Sequence, residues 1–264
     1  MAEDEQQFNL EARRLWRPSP RAVVLAAALY VGVAWTIFIA VDILHLVERP
    51  EGSPVWPHLF NDRPVEWAQW LLLGVAVLLA GYVAGLLSDP DHRRIRAFLL
   101  ILGAGLVLML FEDAGDARHV ISYYVRQLGG SQILGLHYRV LSDVPYLLAV
   151  ASLPIYAFFR HGAAVWRLPG TRPYLIAAFG LYAVAGGSSG VRHHADLYIR
   201  IGGAVDKWLF AGRFPISGSL SQERTQYLLI DSVLEESIET MAAACMVALL
   251  LAIATACRRP HRST

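Results

Sequence analysis

Two stretches of the chain set a carboxylate and an imidazole three residues apart at the end of an apolar run: Asp42-Ile-Leu-His45 and Asp116-Ala-Arg-His119. On a helix, residues so spaced share a face, so each pair can offer a carboxylate oxygen and an imidazole nitrogen to one ion. Helical bundles that hold two metals use a carboxylate-x-x-His pair from each of two helices and one glutamate from each of two more. Glu66, and Glu235 or Glu239, stand where those glutamates would be. Glu112, Asp116 and His119 are spaced by four and three, a stripe that Tyr123 and Arg126 continue, and Asp231, Glu235 and Glu239 are spaced by four with Glu236 beside them. Two facing acidic stripes repel strongly at low dielectric. A cation, shared protons or arginines such as Arg118, Arg126, Arg139 and Arg192 must offset them.

On this reading Glu112, Asp116, His119 and Glu239 are the first-choice metal ligands, followed by Glu235, Asp42, His45 and Glu66. Glu112, Glu235 and Glu236 are the candidate catalytic carboxylates, while Asp113 and Arg118 point off the inward stripe. The donor set implies a divalent metal, with zinc, iron and manganese all admissible. Plainer readings stand beside these. Glu66 and Asp143 fit first-turn carboxylates that complement a helix dipole, Asp42 with His45 fits an interfacial helix end, and His193 with His194 fits a wet loop.

Apolar runs must position these groups. They cover 22–41, 70–87, 97–111, 144–159, 174–191 and 241–257. The third has only 15 positions, about 22 Å of a roughly 30 Å hydrocarbon core at about 1.5 Å per residue. Its helix must therefore carry Glu112, and Asp116 after it, to membrane depth, where ionisable groups are costly and mark function. The expected architecture is an all-α integral membrane protein with six spans in three hairpins, at about 21–46, 66–88, 95–126, 143–160, 173–194 and 227–257. Residues 1–18 form an interfacial N-terminal segment, 19–258 one membrane domain and 259–264 a tail. The short arginine-rich connections near Arg93 and between Arg160 and Arg172 fall on the same side as both ends of the chain, which places the termini in the cytoplasm. Asp42, Glu66, Glu112, Asp143 and Asp231 through Glu239 then form one outward-facing polar layer. The first run reads as a retained span, since no small-residue cleavage site follows it.

Composition agrees: 55% of the 264 residues are hydrophobic and 17% charged, too apolar for an ordinary soluble domain. With 23 basic against 22 acidic residues, net charge gives no support for nucleic-acid binding. Lys207 is the only lysine, a codon signature of a GC-rich, bacterial genome. Cys245 and Cys257 are too far apart along one helix for a disulfide and read as small core residues. Gly81-Tyr-Val-Ala-Gly85 has the small-xxx-small spacing that lets helices approach. Gly187-Ser188-Ser189-Gly190 resembles the Gly-x-Ser-Gly stretch of rhomboid proteases, which pair that serine with a histidine on a later helix; the last run here has none.

The function these features imply is a membrane enzyme that uses a carboxylate and histidine metal site near the outer leaflet on a lipid or lipophilic substrate, by metal-assisted hydrolysis or metal redox chemistry. One alternative is proton- or cation-coupled transport through the same carboxylates. Another is a non-catalytic subunit that docks a membrane-protein partner, or a second copy, through outer loops carrying Tyr123, Tyr124 and Trp208-Leu209-Phe210.

Overall fold

Ser19 and Pro20 open the first helix, α1 (Pro20–Phe38), with proline at the first turn, where its missing N–H costs nothing. In the computed structural model the described residues are 19–48, 54–60, 64–87, 89–115, 117–130, 132–133, 136–192, 194–215 and 220–258. The expected segments 1–18 and 259–264 lie outside them. A π-helical turn, Ile39–Ile43, ends α1, and the short α2 (Trp56–Phe60) precedes α3 (Pro64–Leu86). A 3-10 turn at Pro90–His92 leads into α4 (Arg93–Gly115). Then come α5 (Ala117–Gly129), a two-residue antiparallel pairing of Gln132–Ile133 with Leu136–His137, and α6 (Tyr138–Trp166). α7 (Arg172–Val191) is followed by a 3-10 turn at His194–Asp196 and α8 (Leu197–Leu209). α9 (Gln222–Leu228) passes through a second π-helical turn, Leu229–Leu234, into α10 (Glu235–Cys257).

The fold is all-α, 87% helical, and five helical stretches are long and apolar enough to cross a membrane: Pro20–Ile43, Trp56–Leu86, Pro90–Gly115, Tyr138–Trp166 and Gln222–Cys257. α7 packs in the same layer, against α6 and α10. α10 is the centre. Two thirds of its apolar window (67%) is buried, against 17–33% of the others, and α1, α3 and α7 all pack on it. Lipid tails are as apolar as leucine, so helices associate there by close packing and hydrogen bonds. The sequence supplies both. Ala242, Ala243, Ala244 and Ala248 are fully buried on α10. The Trp35 indole donates to Ser237 Oγ at 2.9 Å, Thr240 Oγ1 to the Val65 carbonyl at 3.3 Å, and the Tyr30 hydroxyl to the Pro64 carbonyl at 2.6 Å.

Close approach falls elsewhere than the Gly81-xxx-Gly85 pattern indicates. A Cβ on either of those glycines would meet nothing within 4 Å, whereas at Gly105 it would lie 2.4 Å from Pro154 Cδ. The tight crossing is therefore α4 on α6. Gly186 and Gly187 likewise face open space, and only Gly190 touches a neighbour, Val144 at 3.6 Å.

The expected third span, 95–126, is helical from Arg93 to Gly115 and from Ala117 to Gly129, with Asp116 outside the described residues. The first stops at Ile43, short of His45, which adopts a left-handed φ of 51°. One end of the bundle, built from Leu73, Ala80, Phe98, Leu102, Leu175, Leu249 and Ile253, is apolar throughout its core. The other end gathers the carboxylates.

Candidate functional site

Gln69, one turn into α3 and buried, stands at the centre of the acidic end. Its amide nitrogen donates to Glu239 Oε2 on α10 at 2.9 Å and to Asp113 Oδ2 on α4. One neutral NH2 thus holds two carboxylates. Glu66, Glu112 and Glu235 lie within electrostatic reach of Asp113, and Glu236 faces Glu239, Glu66, Asp113 and Glu235. Tyr182 of α7 reaches the same group from its far side, beside Glu239 and Asp113. Three oxygens here, Gln69 Oε1, Glu236 Oε2 and the Tyr182 hydroxyl, are buried and have no hydrogen-bond partner among the described residues.

The remaining acids of this end are matched. Arg192, just past α7, bonds Asp231 at 2.6 Å and lies 3.7 Å from Asp143. The Tyr227 hydroxyl also donates to Asp231, at 3.2 Å, and Ser122 Oγ donates to Asp143 at 2.7 Å. Arg118, at the start of α5, sits 3.5 Å from Glu112, whose Oε2 also accepts from the Arg118 backbone N–H, and its guanidinium donates to Ser189 Oγ at 2.7 Å. Tyr146 adds a hydrogen bond to Glu112. Glu235 accepts from the Tyr198 hydroxyl of α8 at 2.8 Å. Burial, with Glu235 beside it, raises the Tyr198 phenol above its ordinary value, so it stays protonated and remains a donor.

No family model matches this chain, and neither a curated protein nor a solved structure matches it. The geometry alone carries the reading.

That geometry brings together Glu66, Glu112, Glu235, Glu236 and Glu239 and separates the Asp42-x-x-His45 pair from them. Asp42 is fully buried, but its two oxygens accept from the backbone N–H groups of Val55 (2.9 Å to each oxygen) and Trp56 (2.9 Å). It caps α2. His45 is exposed, beyond the helix, so the pair has no common face. Asp116 and His193 lie outside the described residues. His119 and His194 are exposed. Asp113, expected to point away, instead faces inward at Gln69, and Arg118 turns in to Glu112.

Among the described residues no three His, Cys, Asp or Glu side chains are arranged to hold a metal ion. The carboxylates therefore meet through the Gln69 amide. Gln69 carried no signal of its own in the sequence, though its spacing of three from Glu66 was visible. Ser188 donates to the Ala185 carbonyl and Ser189 accepts from Arg118, and the Gly187–Gly190 stretch forms no serine–histidine pair among the described residues. Both cysteines are free.

Two 13-residue helices roof this end, α5 and α8. α5 turns Arg118 and Ser122 inward and leaves Val120, Tyr123, Tyr124 and Leu128 exposed. α8 turns Tyr198, Gly202 and Asp206 inward. A Cβ on Gly202 would fall 1.9 Å from the Gln226 carbonyl oxygen, so only glycine lets α8 lie this close to α9. Asp206 caps the turn beyond by accepting from the Phe214 N–H at 2.9 Å. In the cluster Trp208-Leu209-Phe210 the residues part company. Phe210 packs with Phe38 and Phe214, and Trp208 is 84% exposed.

Proposed function

We propose that this chain is an integral membrane enzyme that binds a hard divalent cation at the Gln69 cluster and uses it in hydrolysis of a lipid or lipophilic ester. One observation carries the reading. Asp113 and Glu239 are held by one neutral amide, Glu236 lies within electrostatic reach of both, and two buried acceptor oxygens, Gln69 Oε1 and Glu236 Oε2, have no donor among the described residues. A cation is the partner that completes such an all-oxygen group, and oxygen donors without imidazole suit magnesium, calcium or manganese over zinc or iron. Asp113, Glu239 and Gln69 Oε1 would hold it, with Glu66 beside them. Bound there, the ion would lower the pKa of a coordinated water and polarise an ester oxygen. Glu236 would take the proton from that water and return it to the leaving oxygen, while Arg118 holds Glu112 out of the reaction. In this reading α7 is the sixth span of three hairpins, and the arginine-rich short connections support cytoplasmic termini with the cluster toward the outer leaflet.

The test is manganese binding to protein purified with chelator, followed by electron paramagnetic resonance. We expect one Mn2+ per chain, displaced by Mg2+ or Ca2+ and lost in Asp113→Asn and Glu239→Gln. No saturable binding in the parent protein overturns the proposal. A Glu239-dependent proton flux in proteoliposomes would instead favour transport. The apolar core at the other end of the bundle argues against that route.

A further inference from the structure

The roof helix α8 has a second face that the acidic cluster does not use. Leu197, Arg200, Ile201, Ala204, Val205 and Trp208 follow one another by three, one, three, one and three residues, which places them on a single stripe, and they line a groove of about 560 Å³. The volume lies in the range of small-ligand sites, roughly 300–1,000 Å³. Its wall is apolar except for the Arg200 guanidinium. Lys207, on the same helix, is exposed, while Asp206, the acid of this helix, is buried and spent on the Phe214 N–H. The outer surface of α8 is thus cationic, although the helix covers an acidic cluster. Trp208 stands at the end of the groove, and tryptophan concentrates at the headgroup level of bilayers, with its ring in the apolar zone and its N–H toward water.

We propose that this groove binds an anionic phospholipid, with an acyl chain along Ile201, Ala204 and Trp208 and the phosphate at Arg200. Charge decides between occupants. An apolar protein segment would leave Arg200 and Lys207 unused, and a zwitterionic lipid would offer its phosphate to Arg200 but bring its own cation toward Lys207, whereas an anionic headgroup engages both. The opposite face of the same helix presents Tyr198 to Glu235, so the lipid lies one helix diameter from the carboxylates. This names anionic phospholipid as the substrate class of the enzyme proposed above; it rests on that reading for the use of the lipid and not for its binding.

The test uses the full chain in nanodiscs of phosphatidylcholine containing phosphatidylglycerol with brominated acyl chains, which quench nearby tryptophans. The difference between the parent protein and Trp208→Phe isolates the emission of Trp208. We expect saturable quenching of that component. Each of Arg200→Gln and Lys207→Gln should weaken it about fivefold, since a basic residue near an anionic surface contributes about that factor. Added salt should weaken it further. Both positions are exposed, and unchanged thermal unfolding confirms that these variants fold. Equal quenching by brominated phosphatidylcholine overturns the anionic assignment. Absence of Trp208 quenching, or its protection by a co-purifying protein at fixed ratio, overturns the lipid site. Glu239→Gln, which removes the cation in the earlier reading, should leave the quenching intact, so the two proposals fail separately.

Discussion

The carboxylates of the acidic end fall into two sets that sequence spacing does not distinguish. Asp42, Glu112, Asp143, Asp206 and Asp231 each meet donors, whether backbone amides, an arginine or a hydroxyl. Asp113, Glu236 and Glu239 meet one glutamine amide and one another. Matched carboxylates hold helix ends in place, and their removal should damage the fold. Unmatched ones are a cost that the fold tolerates, and their removal should spare the fold and abolish binding.

Arg192→Ala tests the first half of this contrast most severely. It leaves the buried Asp143 and the half-buried Asp231 without their cation, and removing one partner of a buried pair costs about 3–5 kcal/mol. Thermal unfolding in detergent should show it as the most destabilised single variant. Asp42→Ala follows. It strips the acceptor from the Val55 and Trp56 N–H groups, and a buried unsatisfied donor costs about 1–3 kcal/mol. Glu239→Gln should unfold at the same temperature as the parent protein or higher, because it removes an uncompensated charge, while losing Mn2+. If it unfolds as readily as Arg192→Ala, the two sets are not distinct.

The smallest effect concerns His137. Its Nδ1 accepts from the Arg139 N–H at 3.3 Å as the N-cap of α6, and burial, with Arg139 beside it, holds the imidazole below its ordinary pKa. A base so depressed binds more protons unfolded than folded, so stability should fall as pH drops below the usual histidine value of about 6.5. The loss should not exceed that of a cap, about 1 kcal/mol. His137→Asn, which keeps the cap and does not titrate, should flatten the profile of unfolding temperature against pH between 7 and 5.

Much of this was legible in the amino acids. The apolar runs gave the helices because each is long enough and nearly free of charge, and the shortness of 97–111 placed Glu112 and its neighbours at the end of the bundle. Asp231, Glu235 and Glu239 read as one stripe, whereas across the π-turn Asp231 meets Arg192, Glu235 meets Tyr198 and Glu239 meets Gln69. What failed was the use of periodicity across helix ends. The pair Asp42-x-x-His45 straddles the end of a helix, where a π-turn followed by a left-handed residue resets the phase. Local spacing of polar residues does not report such resets. Asp113 and Gln69 escaped for a related reason, since their partnership spans 44 residues and depends on how α3 and α4 cross.

The π-turn at Leu229–Leu234 has a reach beyond its own six residues. An added residue turns everything after it by about 100° relative to an unbroken α-helix. Asp231, within the turn, answers to Arg192, while Glu239 beyond it answers to Gln69. Deleting a single residue there would straighten the rod and rotate one acidic section by about 100° away from its partner. The bulge thus works as a phase shifter, letting one helix serve two polar neighbourhoods.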